Sequence, residues 1–317
     1  MQRRSQNYDT RTCRYGMAAL QQAAKVIQSG QTVAVPTETV YGLAADARDS
    51  DAVAAIYAAK GRPAFNPLIV HVSSLPMAKK LARFDGIAER LAKRFWPGPL
   101  TLVLPLHDNA DLSPLVTAGL PTVAIRMPAH RAMRSLIEMS GTPLAAPSAN
   151  RSGTISPTSA DHVRRSLAGR IPLILDDGPT EKGLESTIVA PAPDHIRLLR
   201  PGPVTSDEIE EATGFQVWHA TGGGIEAPGQ LESHYAPSKP LRLGATEAED
   251  DEYLIGFGPV KCDISLSETG DLKEAAAALF AALHIADAGR KPRIAVAPIP
   301  TEGLGEAIND RLRRAAA

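Results

Sequence analysis

Lys60 and Arg62 stand one residue apart just past a run of small apolar residues. Thr37, Glu38 and Thr39 come shortly before them, Asn66 and His71 shortly after. Arginine offers a planar fork of donors and lysine a point charge, a pair suited to a polyanion such as a nucleotide triphosphate. The same two cations also describe a solvated helix end whose charges match the helix dipole. His71 has a second reading, as a core histidine satisfied by backbone. Alternation in 122–127 puts Thr122, Ala124 and Arg126 on one strand face and Val123, Ile125 and Met127 on the other. An inward guanidinium must be paired, so Arg126 meets a carboxylate of the protein or of a ligand. Ser148 and Asn150, two apart in a turn, either aim hydrogen bonds in one direction or make a simple Asx or Ser turn.

The elements that hold these groups follow from the apolar pattern. A strand over 32–35 feeds the Thr-Glu-Thr-Tyr-Gly turn, which leads into a helix over 51–59 that Gly61 can cap in the left-handed region. A second strand, 68–72, carries His71. Loops held by a rigid sheet are where binding groups usually sit. Helices are expected over 16–29, 75–83, 86–95, 130–140, 159–167 and 206–213, and strands over 100–106, 122–127, 144–146, 173–175, 186–189 and 196–199. Trp96-Pro97-Gly98-Pro99 must be irregular, a rigid loop packing Trp96 into the core. The first fifteen residues hold four arginines and one acid. They read as a flexible arm, although a transit peptide has the same bias and no apolar stretch follows the twin arginines. Residues 16–215 form a first unit and 216–240 a Gly/Pro/Ser-rich linker that includes Gly222, Gly223 and Gly224. Strands at 241–243, 253–257 and 293–297, with helices at 272–288 and 304–314, make 241–317 a small unit built on a parallel sheet.

Composition narrows the function classes. The chain has 317 residues, 44% hydrophobic and 22% charged, enough for two globular units. A net charge of −1 argues against strong non-specific nucleic-acid binding. Cys13 and Cys262 lie far apart, which implies a reducing, cytoplasmic setting and no structural zinc. No apolar run approaches the length of a membrane span. The eight histidines show no metal-ligand spacing, so the protein offers no metal ligands, and any metal is Mg2+ carried by nucleotide phosphates. Gly178 to Gly183 is the nearest approach to a P-loop, but Leu184 stands where lysine belongs. Gly256 and Gly258 make only a weak dinucleotide pattern, since Lys261 replaces the third glycine. No G-x-S-x-G elbow is present. Asn150-Arg151-Ser152 is a glycosylation sequon without any sign of secretion.

Eight segments carry a family resemblance: PTETVYGL from 36, KGRPxxNPLIVHV from 60, FWPGPLTLVLP at 95–105, TVAIRMP at 122–128, APSANRSG at 146–153, ESTIV at 185–189, LLRPG at 198–202 and APGQLESHYAP at 227–237. In this order they resemble the YrdC-type threonylcarbamoyl-adenylate synthases, in the long form with a C-terminal extension domain. The resemblance implies a twisted mixed sheet flanked by helices, plus a small Rossmann-like α/β domain. It implies a nucleotidyltransferase that joins L-threonine, bicarbonate and ATP into threonylcarbamoyl-AMP and pyrophosphate. A separate transferase would then use the product to modify transfer RNA. By the same resemblance Thr39, His71, Arg126, Ser186 and the backbone near Ala146 hold threonine. Arg62, Asn66, Thr122, Ser148, Ser156, Arg200 and the linker's Tyr235 hold ATP, with Asn150 as a helper and Lys60 and Arg62 as the catalytic cations. Two other readings stand beside this one. An RNA-binding module of the same fold is opposed by the near-neutral charge. A carbamoyl transferase acting on another acceptor would lack amino-acid-dependent pyrophosphate release.

Overall fold

The computed structural model describes residues 7–317 apart from 64, 221–223, 225 and 230–232. The first unit opens with β1 (Arg11–Arg14), α1 (Met17–Gln28), β2 (Val33–Pro36), β3 (Tyr41–Asp46), α2 (Ser50–Lys60) and β4 (Ile69–His71). It continues through α3 (Leu75–Lys79), α4 (Gly86–Phe95), β5 (Leu100–Pro105), α5 (Pro114–Thr117), β6 (Thr122–Arg126), α6 (Arg131–Ser140) and β7 (Leu144–Ala145). It closes with α7 (Ala160–Leu167), β8 (Leu173–Asp176), β9 (Thr187–Pro191), β10 (Ile196–Arg200), α8 (Ser206–Thr213) and β11 (Val217–His219). The second unit holds β12 (Leu241–Leu243), β13 (Glu252–Gly256), β14 (Ile264–Ser265), α9 (Leu272–Ala288), β15 (Arg293–Val296) and α10 (Leu304–Ala315).

The strands of the first unit make one mixed sheet in the order β1-β8-β2-β3-β7-β4-β6-β5-β9-β10-β11. Chain connectivity alone does not dictate that order. It brings β4 beside β6 in parallel, with His71 opposite Arg126. Helices cover the sheet through one large apolar cluster that includes Tyr41, Ile56, Leu91 and Ile125, and a second that joins α1 to α6. The second unit is a parallel sheet, β12-β15-β13-β14, as the alternation implied.

Local chemistry explains most boundaries. The Asp49 carboxylate accepts from the amides of Asp51 and Ala52 to start α2, and Gly61 ends it with φ +62°. Thr205 and Glu208 form a capping box on α8. The Thr37 hydroxyl donates to the Val40 carbonyl at 2.7 Å and accepts from the amides of Thr39 and Val40, which folds the Thr-Glu-Thr segment into a tight turn between β2 and β3.

Four expectations are corrected. The segment leading to α2 is not all turn: residues 41–46 form β3, which pairs antiparallel with β2. Their apolar run is continuous because both faces are covered. Residues 11–14 are not a flexible arm but β1, paired parallel with β8; residues 1–6 lie outside the described residues. The expected linker begins inside the sheet, since 217–219 form β11 against β10. Gly222, Gly223 and 230–232 lie outside the described residues. The helix expected over 75–83 stops at Lys79, because Ala82 is drawn into a bridge with Leu106.

Candidate active site

A cavity opens where the β2–β3 turn, the end of β4, the end of β6 and the 146–148 turn converge. Thr39, Arg62, His71, Arg126, Ala146, Ser148, Ser186, Arg200 and Tyr235 all line it. One group of predicted residues is therefore brought together from eight separate stretches of the chain.

Each nitrogen of the Arg126 guanidinium has one protein partner. Its Nη2 donates to Glu38 Oε1 at 2.6 Å, its Nη1 to Thr39 Oγ1 at 2.9 Å and its Nε to the Gly98 carbonyl at 3.2 Å. Glu38 Oε2 in turn accepts from the amides of Ala129 and His130. The choice the sequence left open, a protein carboxylate or a ligand carboxylate, is settled for one arm of the fork by Glu38. Burial opposes ionisation of Glu38, but Arg126 and the amides outweigh it and hold the carboxyl below its ordinary range. Beside Arg126, His71 has its pKa lowered to about 3 by burial and then by the neighbouring guanidinium, so it stays neutral. Its Nδ1 is buried and has no partner among the described residues. The residue itself lines the cavity, where a neutral imidazole can exchange a hydrogen bond with a ligand. Ser186 completes this side, its hydroxyl 2.8 Å from that of Thr101.

The second cluster is richer in cations. Arg62 donates to the carbonyls of Asn66, at 3.3 Å, and Pro67, at 3.0 Å. Arg200 donates to the carbonyls of Ser186 and Pro228 and to the Ser186 hydroxyl. Both guanidinium groups are buried on neutral acceptors, and burial lowers both pKa values, that of Arg62 to about 10. Positive charge is thus concentrated in one cavity with its field turned toward a ligand.

Lys60, Asn66, Thr122, Asn150 and Ser156 do not line the cavity. Lys60 Nζ donates to the carbonyls of Ser148 and Asn150, both at 2.6 Å, so it ties down the turn that presents Ser148. Burial, with Arg62 beside it, pushes the Lys60 ammonium well below the usual lysine range. The Asn150 amide donates to the carbonyls of Arg151 and Thr154 within its own loop. Both amide atoms of Asn66 are buried without a partner among the described residues, an arrangement that costs free energy unless a ligand answers it. Thr122 sits at the far end of β6, four residues from Arg126 and opposite Pro105. Ser156 donates to Glu185, which lines the cavity.

Thr37 and Glu185 line the cavity, and Glu38 and Thr101 hold residues that do; the sequence assigned none of the four a role. The signal for Glu38 was present: an acid between two threonines in a segment flanked by apolar strands must find a cation. The linker does reach the cavity. Tyr235 adopts φ +65°, is 1% exposed and packs on Phe280 of α9, with Pro228, Gly229 and His234 beside it in the wall. Among the described residues no group of three or more His, Cys, Asp or Glu could hold a metal ion, and no helix is long and apolar enough to cross a membrane.

The comparisons agree with this architecture. The family model described as Telomere recombination, covering Sua5, YciO and YrdC proteins, matches residues 25–202. The model described as Threonylcarbamoyl-AMP synthase, C-terminal domain, matches 204–317. The threonylcarbamoyl-AMP synthase of Bacillus subtilis is 43% identical over 93% of this chain and 92% of its own. That of Pyrococcus abyssi is 42% identical, with 92% of each chain covered. The crystal structure of P. abyssi Sua5 complexed with L-threonine matches with a TM-score of 0.87 at 39% identity over 97% of both chains. Both units, their order and their connection are shared, and the chain belongs to the Sua5/YrdC family in its two-domain form, the threonylcarbamoyl-AMP synthases.

Proposed function

We propose that this chain joins L-threonine, bicarbonate and ATP into L-threonylcarbamoyl-adenylate and releases pyrophosphate. The observation that carries the reading is the division of one cavity into two neighbouring groups. Arg126, Thr39, His71 and Ser186 can receive a small amino acid, and Arg62, Arg200 and Ser148 a polyphosphate. A relative whose crystal structure contains L-threonine supports the first assignment.

The chemistry needs no protein nucleophile. The threonine amine adds to carbon dioxide, derived from bicarbonate, to give a carbamate and a proton. A carbamate oxygen attacks the α-phosphorus of ATP, and the bond to the β-phosphate bridging oxygen breaks with pyrophosphate as leaving group. Two anions must approach each other, so the protein's contribution is to orient them and offset their repulsion with fixed cations. In this reading Arg62 and Arg200 take the phosphates. Neutral His71 can accept or donate one hydrogen bond without adding charge. Lys60 acts through the Ser148 turn, and Asn66 acts through its backbone carbonyl, which holds Arg62. ATP would arrive as its Mg2+ complex, the metal riding on the phosphates. The product would pass to a separate transferase acting on transfer RNA. The two free thiols, Cys13 and Cys262, support a cytoplasmic location.

Pyrophosphate release measured with bicarbonate and either L-threonine, L-serine or no amino acid tests the proposal. Release is expected with threonine and much less with serine, because a missing methyl costs about 1–3 kcal/mol in a fitted pocket. Equal rates with serine, or with no amino acid, refute it.

A further inference from the structure

Arg311 lies on α10, in the second unit, yet it is wholly buried, at 0% exposure. A buried guanidinium must be compensated. Its Nε donates at 2.8 Å to Oε2 of Glu185, a residue of the first unit that lines the cavity. Its Nη1 donates to the adjacent Asp310 at 2.7 Å, and its central carbon lies 5.3 Å from the centre of the Tyr235 ring. The segment carrying Glu185 is held against the second unit by backbone as well. A Cβ on Gly183 would come within 2.5 Å of the backbone of Ala277 in α9, and φ there is +70°. The His284 ring nitrogen of α9 lies 3.1 Å from the carbonyl of Ser156, whose hydroxyl donates to Glu185.

A carboxylate in the wall of a cavity that takes a triphosphate is a charge of the wrong sign. Burial pushes Glu185 toward its neutral form, but Arg311 and then Arg200 outweigh it and keep the group ionised. Arg311 approaches Glu185 from outside the cavity. Arg200 makes its hydrogen bonds to neutral oxygens and Arg62 does the same, so among the described residues neither is hydrogen-bonded to a carboxylate. Without Arg311, Glu185 would be answered from within the first unit, by Arg200 first and by the buried Lys60 beside it. We propose that Arg311 is a positioning residue for the nucleotide: it neutralises Glu185 from the second unit, leaving Arg200 and Arg62 to the polyphosphate. The second unit is then part of the ATP site electrostatically, without touching the nucleotide through this residue. The inference rests on the proposed reaction.

The test uses the full chain with Arg311→Met, Arg311→Lys and the pair Arg311→Met with Glu185→Gln. Pyrophosphate release gives separate KM values for ATP and threonine, and calorimetry gives ATP affinity without threonine. Arg311→Met is expected to raise the KM for ATP tenfold or more while that for threonine stays within twofold. The double variant removes both charges of the Arg311–Glu185 pair, while Asp310 keeps its bond from Arg314, and it is expected to recover ATP affinity to within threefold of wild type. Arg311→Lys keeps the charge and is expected to retain most of the affinity. An unchanged KM for ATP in Arg311→Met overturns the proposal, as do equal rises in both KM values or a double variant as impaired as the single one. Should Arg311→Met fail to fold, the double variant decides alone: ATP affinity within threefold of wild type supports the idea and a tenfold loss ends it. A wild-type chain that binds ATP but releases no pyrophosphate with threonine would refute the reaction. The calorimetric comparison would still read the role of Arg311.

Discussion

Glu38→Gln changes one atom type and removes one charge, and the structure says what that does. Glu38 is 4% exposed, and both its oxygens are occupied, one by Arg126 at 2.6 Å, the other by the amides of Ala129 and His130 at 3.1 and 3.4 Å. Glutamine has one acceptor oxygen and one donor nitrogen. Whichever way the amide turns, its NH2 group faces either the guanidinium or the backbone amides, donor against donor. At least one charge-assisted hydrogen bond is lost, worth about 1.5–3 kcal/mol. Breaking a buried ion pair by removing one partner costs about 3–5 kcal/mol, because the other charge is left uncompensated. A loss of about 3 kcal/mol in the first unit is therefore expected. Urea unfolding followed through Trp96 and Trp218, both in that unit, reads it. Arg126 would also lose the contact that aims its fork at Thr39 and the cavity. The KM for threonine should rise about tenfold or more, about 1.4 kcal/mol or above, while that for ATP changes little. A variant with wild-type unfolding and an unchanged KM for threonine would show that Glu38 neither carries nor aims Arg126.

Three further outcomes are expected. Arg62→Lys keeps the charge but cannot reach both the Asn66 and Pro67 carbonyls, so steady-state assays should show weaker ATP use and about a tenfold loss of turnover; full activity would place Arg62 outside the chemistry. Tyr235→Ala empties the space between Phe280, Arg311 and the cavity, with a stability cost of about 3–5 kcal/mol by analogy with other large aromatic truncations and leakage or loss of the adenylate product; product accumulation at the wild-type rate with unchanged ATP affinity would reduce the linker to a tether. Burial depresses His71 and His234 to pKa values of about 3, so the unfolded chain takes up protons first as pH falls below 6.5, and stability should decline from there. Glu38 and Glu185, held below 4.5 by their arginines, add a second loss as pH drops further through their folded values. A urea midpoint that stays flat between pH 7.5 and 5 would contradict the neutral, buried histidines.

Some of this was written in the chain order alone. α4, α8 and α9 were legible to the residue, because their caps and apolar spacing are local properties: Asp85, Thr205 and Asp271 each satisfy amides in the first turn of their own helix. The left-handed end at Gly61 followed from glycine's freedom at positive φ. The resemblance of eight ordered segments pointed to the family, and the conflict between an inward Arg126 and an apolar face required a carboxylate. What the sequence could not supply was the identity of the partner. Glu38 answers Arg126 from 88 positions away. Arg311 answers Glu185 from 126 positions away, across two units that read as separate. Edge strands were missed for the same reason: β1 and β11 exist only because β8 and β10 present an open ladder beside them. Caps, turns and apolar periods are energies between near neighbours and can be read from spacing. The pairing of buried charges and the strand order that sets His71 against Arg126 depend on which distant segments meet, and only tertiary packing decides that.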